Sequence, residues 1–195
     1  MQAIRIIREE HQSLAAVLHG LLYLVREISA HRMHPDFPLL GAMVYYIDTF
    51  PERCHHPKED DWLFRLLQQR YPPAGEVLER LRAEHRAGAT KLKQLEQALL
   101  RYEQGGQREF PIFVAAVEGY VAFERNHMRC EETEVMPLAQ EYLTPADWEE
   151  IDAAFLDHTD PLSGEVVRDD FRELFRRIVN LAPPPIGVGP ANSLL

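Results

Sequence analysis

Apolar side chains recur at alternating three- and four-residue steps through most of the chain, which is the spacing that places them on one face of an α-helix. Four such stretches are long, at about residues 2–32, 39–70, 74–103 and 108–142. Short joints rich in proline or glycine separate them. Long amphipathic helices with short connections predict an all-α fold, an up-down-up-down antiparallel four-helix bundle.

Two additional C-terminal helices are predicted after the bundle, at about residues 145–158 and 163–181. The segment Thr144-Pro145-Ala146-Asp147 is typical of a capped helix start. We therefore expect a bundle over residues 1–142 and, over residues 143–195, accessory helices with a Pro/Gly-rich tail packed on it, as a single domain. These helices offer a surface for a protein partner or for a homodimer.

Composition and charge narrow the classes of partner. The 195 residues contain 21 Lys and Arg against 31 Asp and Glu, a net charge of −10. This acidity argues against nucleic acid and anionic membranes, which both require a basic surface. No apolar run approaches the roughly 20 residues of a membrane span, and charges interrupt the apolar N-terminal stretch, so no signal peptide is expected. We expect a cytoplasmic protein.

Four histidines stand where the apolar stripes predict core residues, one on each long helix. They are His11, His55, His85 and His127. Counting from the joints at a rise of about 1.5 Å per residue places all four at nearly one level of the bundle. Glu59 and Glu131 follow two of them by four residues, which puts each histidine and its glutamate on one helix face.

Four imidazoles and two carboxylates buried at one level require a compensating charge, since each would otherwise cost several kcal/mol. Divalent metal ions satisfy them together, and six ligands are too many for one tetrahedral zinc site. Two ions that share the carboxylates fit better. The role of His56 is left open, because the kink expected at Pro57 could exchange its role with that of His55. The remaining histidines are expected on the surface or in packing: His19, His31, His34 and His158.

The motifs that carry these residues resemble the hemerythrin-like (HHE cation-binding) family over about residues 1–142. They are His11, His55-His56-Pro57-Lys58-Glu59, His85 and His127-Met128-Arg129-Cys130-Glu131. The resemblance implies a four-helix bundle around two non-haem iron ions, oxo- or hydroxo-bridged, with zinc or manganese as possible substitutes. The ligands it implies are His11, His55, Glu59, His85, His127 and Glu131, with Glu59 and Glu131 bridging the ions.

One departure from the family pattern bears on function. Its oxygen carriers have a further histidine one turn after the third-helix ligand, where this chain has Ala89. Four histidines with two glutamates are more similar to the family's sensors and iron–sulfur-repair proteins. We expect an open metal position, with space beside Gly88 and Ala89, that binds or senses O₂ or NO. The alternative is a di-iron redox enzyme of the iron–sulfur-repair or peroxidase type, and turnover is left open.

Ferritin-like di-iron proteins are the competing class, because they use Glu-x-x-His pairs. The chain contains Glu52-x-x-His55 and Glu124-x-x-His127. The joint at residues 71–73 is too short for the mid-bundle crossover of that fold, and histidines stand on the other two helices. Glu52 and Glu124 are then either hydrogen-bond partners of the ligand histidines or exposed acids. The two cysteines, Cys54 and Cys130, are expected to be buried and free.

Overall fold

A computed structural model of the protein describes residues 1–157, and within that range every regular element is helical. The predicted all-α fold is confirmed. We number five helical elements in chain order. They are α1 (Gln2–Ser29), α2 (residues 37–70), α3 (Gly75–Gly105), α4 (residues 110–142) and α5 (Pro145–Leu156). Single 3₁₀ turns at Pro72–Ala74 and Gly106–Arg108 precede α3 and α4.

Two of these elements are continuous helices that contain π-helical segments. α2 consists of Phe37–Ile47, the π-helical Asp48–His55, His56–Lys58, the π-helical Glu59–Phe64, and Arg65–Arg70. α4 consists of Phe110–Cys130, the π-helical Glu131–Val135, and Met136–Tyr142. Proline lacks an N–H and its ring clashes with the preceding turn, and each wide segment contains or lies close to a proline: Pro51, Pro57 and Pro137. Where a kink was expected at Pro57, the helix therefore has π-helical turns on both sides of His56–Lys58.

The four long helices pack in a closed ring in which α1 contacts α2 and α4, and α3 contacts the same two helices. Their apolar side chains form two separate clusters. The cluster that includes Ile7, Phe64, Leu81 and Val135 we call the proximal core, and the cluster that includes Leu18, Met43, Leu95 and Phe113 we call the distal core. α1 and α3 enter the proximal core first, whereas α2 and α4 enter the distal core first. This order agrees with alternating helix directions.

α5 packs against the proximal core through Trp148, Ile151 and Phe155. Its first turn is closed by a capping box between Thr144 and Asp147. The first of the two predicted C-terminal helices is thus present, whereas the second, the tail and His158 lie outside the described residues. Among residues 1–157, no helix has the length and apolar character that a membrane span requires.

Candidate metal centre

A layer of polar side chains separates the proximal core from the distal core. All six residues predicted as ligands lie in it, at most 7% exposed: His11, His55, Glu59, His85, His127 and Glu131. Each of the four long helices contributes one of the four histidines, so the common level inferred from residue counting is present in the structure. The structure thus brings the whole predicted set together.

The six residues form two overlapping groups whose potential ligand atoms lie within 4.8 Å of one another. One group is His11, His55 and Glu59, and the other is Glu59, His85, His127 and Glu131. Glu59 belongs to both groups. The layer therefore has two halves, with one pair of histidines in each.

The two glutamates lie between the histidine pairs, with one oxygen toward each half. Oε1 of Glu59 is 3.3 Å from Nε2 of His55, and its Oε2 is 3.6 Å from Nε2 of His85. Oε2 of Glu131 is 3.3 Å from Nε2 of His11, and its Oε1 is 3.1 Å from Nε2 of His127. Two donors at about 2.1 Å from one ion, at right angles, are about 3 Å apart. Separations of this size suit an imidazole and a carboxylate that share a bound ion.

The outward nitrogen of each of these histidines faces an acidic side chain. Nδ1 of His11 is hydrogen-bonded to Glu132 at 2.9 Å, Nδ1 of His55 to Glu10 at 2.6 Å and Nδ1 of His127 to Glu84 at 2.9 Å. Nδ1 of His85 lies 3.0 Å from Oδ1 of Asp60, an ion-pair contact without hydrogen-bond alignment. A neutral imidazole that donates through Nδ1 presents Nε2 as an acceptor, so all four Nε2 atoms face inward as potential ligands.

The inner layer is consequently crowded with acceptors. Nε2 of His11, Nε2 of His55 and all four oxygens of Glu59 and Glu131 are buried without a hydrogen-bond partner. Nε2 of His85 and Nε2 of His127 face each other at 2.9 Å. Buried acceptors without donors are costly, and cations relieve all of them at once. The donor set of imidazole and carboxylate therefore fits divalent metal.

The same crowding perturbs the pKa values of these groups. Burial by itself lowers the pKa of His127, but the negative charge of Glu131, whose Oε1 lies 3.1 Å from Nε2, outweighs it and raises the pKa to about 10. Burial also lowers the pKa of His85, but the contacts with Asp60 and Glu131 outweigh this effect and raise the pKa to about 9. Burial favours the neutral form of Glu131, yet the charge of His127 and the close contacts of His11 and His85 hold the pKa of this carboxyl well below its usual value. The glutamates thus favour the protonated form of these histidines, and the histidines favour the ionised form of Glu131.

A family model described as the hemerythrin HHE cation binding domain matches residues 2–139. The chain belongs to this family. No curated protein and no solved structure matches the chain. The hemerythrin match covers α1, α2 and α3 and all but the last three residues of α4, and it leaves α5 outside.

The acids around this hemerythrin-type centre are the functional residues that the sequence interpretation missed. Glu52 and Glu124 were expected either as partners of these histidines or as exposed acids. The acids that face the four Nδ1 atoms are instead Glu10, Asp60, Glu84 and Glu132. A signal existed, because each of these acids directly adjoins a predicted ligand in the sequence. It was hidden because each acid contacts a histidine on a different helix from its own.

Glu52 and Glu124 instead form a second buried acidic pair beside the centre. The hydroxyl of Tyr120 donates to Oε1 of Glu52 at 3.1 Å, and both oxygens of Glu124 are buried without a partner. Burial, reinforced by the charge of Glu124, raises the pKa of Glu52 to about 7, and burial also raises the pKa of Glu124. Burial thus favours the protonated form of both carboxyls.

The expectation of free space beside Gly88 and Ala89 is wrong. A Cβ placed on Gly88 would lie 2.9 Å from Oε1 of Glu52 and 3.5 Å from the ring of Phe123. Glu52 therefore occupies the room that the missing side chain leaves. Ala89 is exposed, on the outer side of α3.

The remaining described histidines and the two cysteines differ in how far they are exposed to solvent. His19, His31 and His34 are exposed, as expected for surface residues. Cys54 and Cys130 are free but only half-buried, which corrects the expectation that both are buried. Sγ of Cys130 accepts a hydrogen bond from Arg80 at 2.8 Å.

His56 is 5% exposed and lies against His85, with ring centroids 4.3 Å apart. Burial, together with the charges of His85 and His55, lowers the pKa of His56 well below its usual value.

Proposed function

We propose that the protein holds two iron ions in this centre and binds or senses a diatomic ligand, O₂ or NO, at an open coordination position. The observation that carries the proposal is the position of Glu59 and Glu131 between two histidine pairs. A site for a single ion does not require two carboxylates that each direct one oxygen to each histidine pair. A site for two ions with shared carboxylates does require this arrangement.

The proposed ligands are the six residues of the polar layer. His11 and His55 would hold one ion, His85 and His127 the other, and Glu59 and Glu131 would be shared. A di-iron pair supplies reversible binding and redox chemistry for small diatomic ligands. The chain's own contribution is to orient the four imidazoles through their Nδ1 contacts and to exclude bulk water, since no ligand residue is more than 7% exposed.

Zinc and manganese are the competing metals, because they accept the same imidazole and carboxylate donors. Iron differs from zinc in having redox chemistry and in changing its optical spectrum when a small anion or NO binds. The identity of the metal therefore decides between a centre that interacts with O₂ or NO and a structural one.

The test is elemental analysis of the full chain purified from iron-supplemented cells, followed by optical spectra with NO and with azide. We expect about two irons per chain and a spectral change with NO. His85→Ala removes the only ligand proposed on α3 and should lose most of the metal, whereas His19→Ala, at an exposed position of α1, should retain it. Zinc alone, or one metal or fewer after iron reconstitution, would overturn the proposal.

A further inference from the structure

His56 has the surroundings of a metal ligand although it is not among the six residues proposed above. It is 5% exposed, and one of its ring nitrogens lies within 4.8 Å of ligand nitrogens of both His85 and His127. Its ring is nearly parallel to that of His85 and at 73° to that of His127, with centroids 4.3 and 5.4 Å away. Three imidazoles thus converge on the half of the layer that these two histidines form.

The outer nitrogen of His56 repeats the pattern of the other four histidines. Its Nδ1 faces a carboxylate oxygen of Glu52 at 3.7 Å, whereas the other four Nδ1 atoms face carboxylates at 2.6 to 3.0 Å. At this longer distance Nδ1 has no hydrogen-bond partner. A histidine used only for packing would leave that buried atom unsatisfied. A histidine drawn inward onto an ion presents Nε2 to the metal and Nδ1 to its carboxylate, as the others do.

Adjacent helical residues point about 100° apart, so consecutive histidines cannot face the same ion. His55 faces His11 across the layer, with ring centroids 5.1 Å apart, while His56 faces His85. The centroids of His55 and His56 are themselves 5.6 Å apart and their rings are inclined at 61°. The pair therefore divides between the two halves of the centre.

We propose that His56 is a fifth histidine ligand of the centre and binds the same ion as His85 and His127, an inference that rests on the two-ion function proposed above. The chain then offers five donors to that ion, three imidazoles and the two shared carboxylates. It offers only four to the ion held by His11 and His55. The open coordination position accordingly lies on the His11–His55 ion, and a small anion or diatomic ligand binds there.

The test compares the wild-type full chain with His56→Ala and His19→Ala in titrations with Co²⁺, whose visible absorption reports the coordination number. We expect two Co²⁺ ions per wild-type chain. In His56→Ala, one of the two should bind at least tenfold more weakly, and added imidazole should restore its affinity and its absorption. That rescue separates a lost ligand from lost packing. His19→Ala should match the wild type.

Azide then locates the open position. The wild-type Co²⁺ protein should bind one azide per chain, and His56→Ala should bind two, because the variant frees a position on the second ion. A His56→Ala protein that binds both Co²⁺ ions and one azide as tightly as the wild type would overturn this proposal and leave the two-ion centre standing. A wild-type chain that binds fewer than two ions would overturn the two-ion function, and with it the role of His56.

Discussion

Glu10 and His55 lie on different helices and are joined by a 2.6 Å hydrogen bond between Oε2 and Nδ1. Glu10 directly precedes His11, so α1 supplies one proposed ligand and the partner of another. The same relation recurs around the bundle, always to the next helix: Asp60 on α2 to His85, Glu84 on α3 to His127, and Glu132 on α4 to His11. These contacts close a ring of four acids around the layer. Through this ring, the packing of the helices and the orientation of the imidazoles depend on each other.

The first prediction concerns this ring. Glu10→Gln keeps the size of the side chain but removes the charge that holds Nδ1 of His55, so that the imidazole becomes a weaker and less well oriented ligand. We expect metal affinity to fall about 10- to 100-fold, measured by competition with a chelator. Glu9→Gln is the matched control, because Glu9 pairs with Arg5 on the outer side of α1. Equal affinities in the two variants would show that the acid ring does not support the ligands.

The second prediction is the pH dependence of metal binding. Without metal, the pKa of His85 is about 9 and that of His127 about 10. Both are protonated near neutral pH, and a metal ion must displace those protons to reach Nε2. The metal-free form therefore binds more protons than the metal-bound form, so affinity rises with pH from neutral and levels off above the higher of the two pKa values.

Calorimetric titration with Zn²⁺ in buffers of different ionisation enthalpy checks this sign. Proton release per ion should be positive near neutral pH and should decrease as the pH approaches about 10, the pKa of His127. The same titration of His19→Ala should give the same release, because His19 is exposed and lies two helical turns beyond the proposed ligand His11 on α1. Affinity that stays constant between neutral pH and the pKa of His85 would contradict the expectation.

The periodicity of the sequence predicts the helices and the inward histidines, but it cannot predict which residues meet between neighbouring helices. The stripe positions identified four helices and four inward histidines because burial repeats every three or four residues. Periodicity does not specify which residue of the neighbouring helix meets Nδ1. The sequence therefore offered Glu52 only as one possible partner of a ligand histidine and did not indicate that Glu10 contacts His55. His56 likewise lies between π-helical turns, whose rotation per residue departs from the regular helix that the pattern assumes, so the pattern does not specify which way its side chain faces.

The third prediction uses Gly88, whose place beside the centre is filled by Glu52. Gly88→Ala gains the usual helix propensity of alanine, about 1 kcal/mol, but its Cβ would stand 2.9 Å from Oε1 of Glu52. Moving that carboxylate breaks its hydrogen bond with Tyr120 at a buried position. We expect a net loss of about 1 kcal/mol in the free energy of unfolding, measured by chemical denaturation.

Gly119→Ala is the control for this substitution. Gly119 is an exposed residue of α4, and a Cβ added there would have no neighbouring atom within 4 Å. That variant should be more stable than the wild type by about 0.5 to 1 kcal/mol. If Gly88→Ala were stabilised by the same amount, Glu52 would be free to move without cost, and the acidic pair would have no fixed position beside the centre.

The fourth prediction concerns the attachment of α5. Arg70 at the end of α2 donates two 2.8 Å hydrogen bonds to Asp147, which also closes the capping box of α5 with Thr144. The hydrogen bonds from Arg70 hold the pKa of the Asp147 carboxyl well below its usual value, more than burial raises it. Asp147→Asn keeps the shape of the cap and loses the charge. Because Arg70 is about half exposed, solvent screens the pair, and we expect a loss of about 1 kcal/mol.

The pH profile of this loss has a defined sign. A carboxyl whose pKa is lower in the folded state stabilises the protein above its unfolded value of 3.8 and stops doing so as pH falls through the folded value. The difference in unfolding free energy between wild type and Asp147→Asn should therefore be constant near neutral pH and shrink below about pH 4. Metal loss in acid affects both proteins and cancels in the difference. Glu149→Gln, on an exposed face of the same helix, should show no such difference. A difference that persists undiminished into acid would show that the cap, and not the charge pair with Arg70, attaches α5 to the bundle.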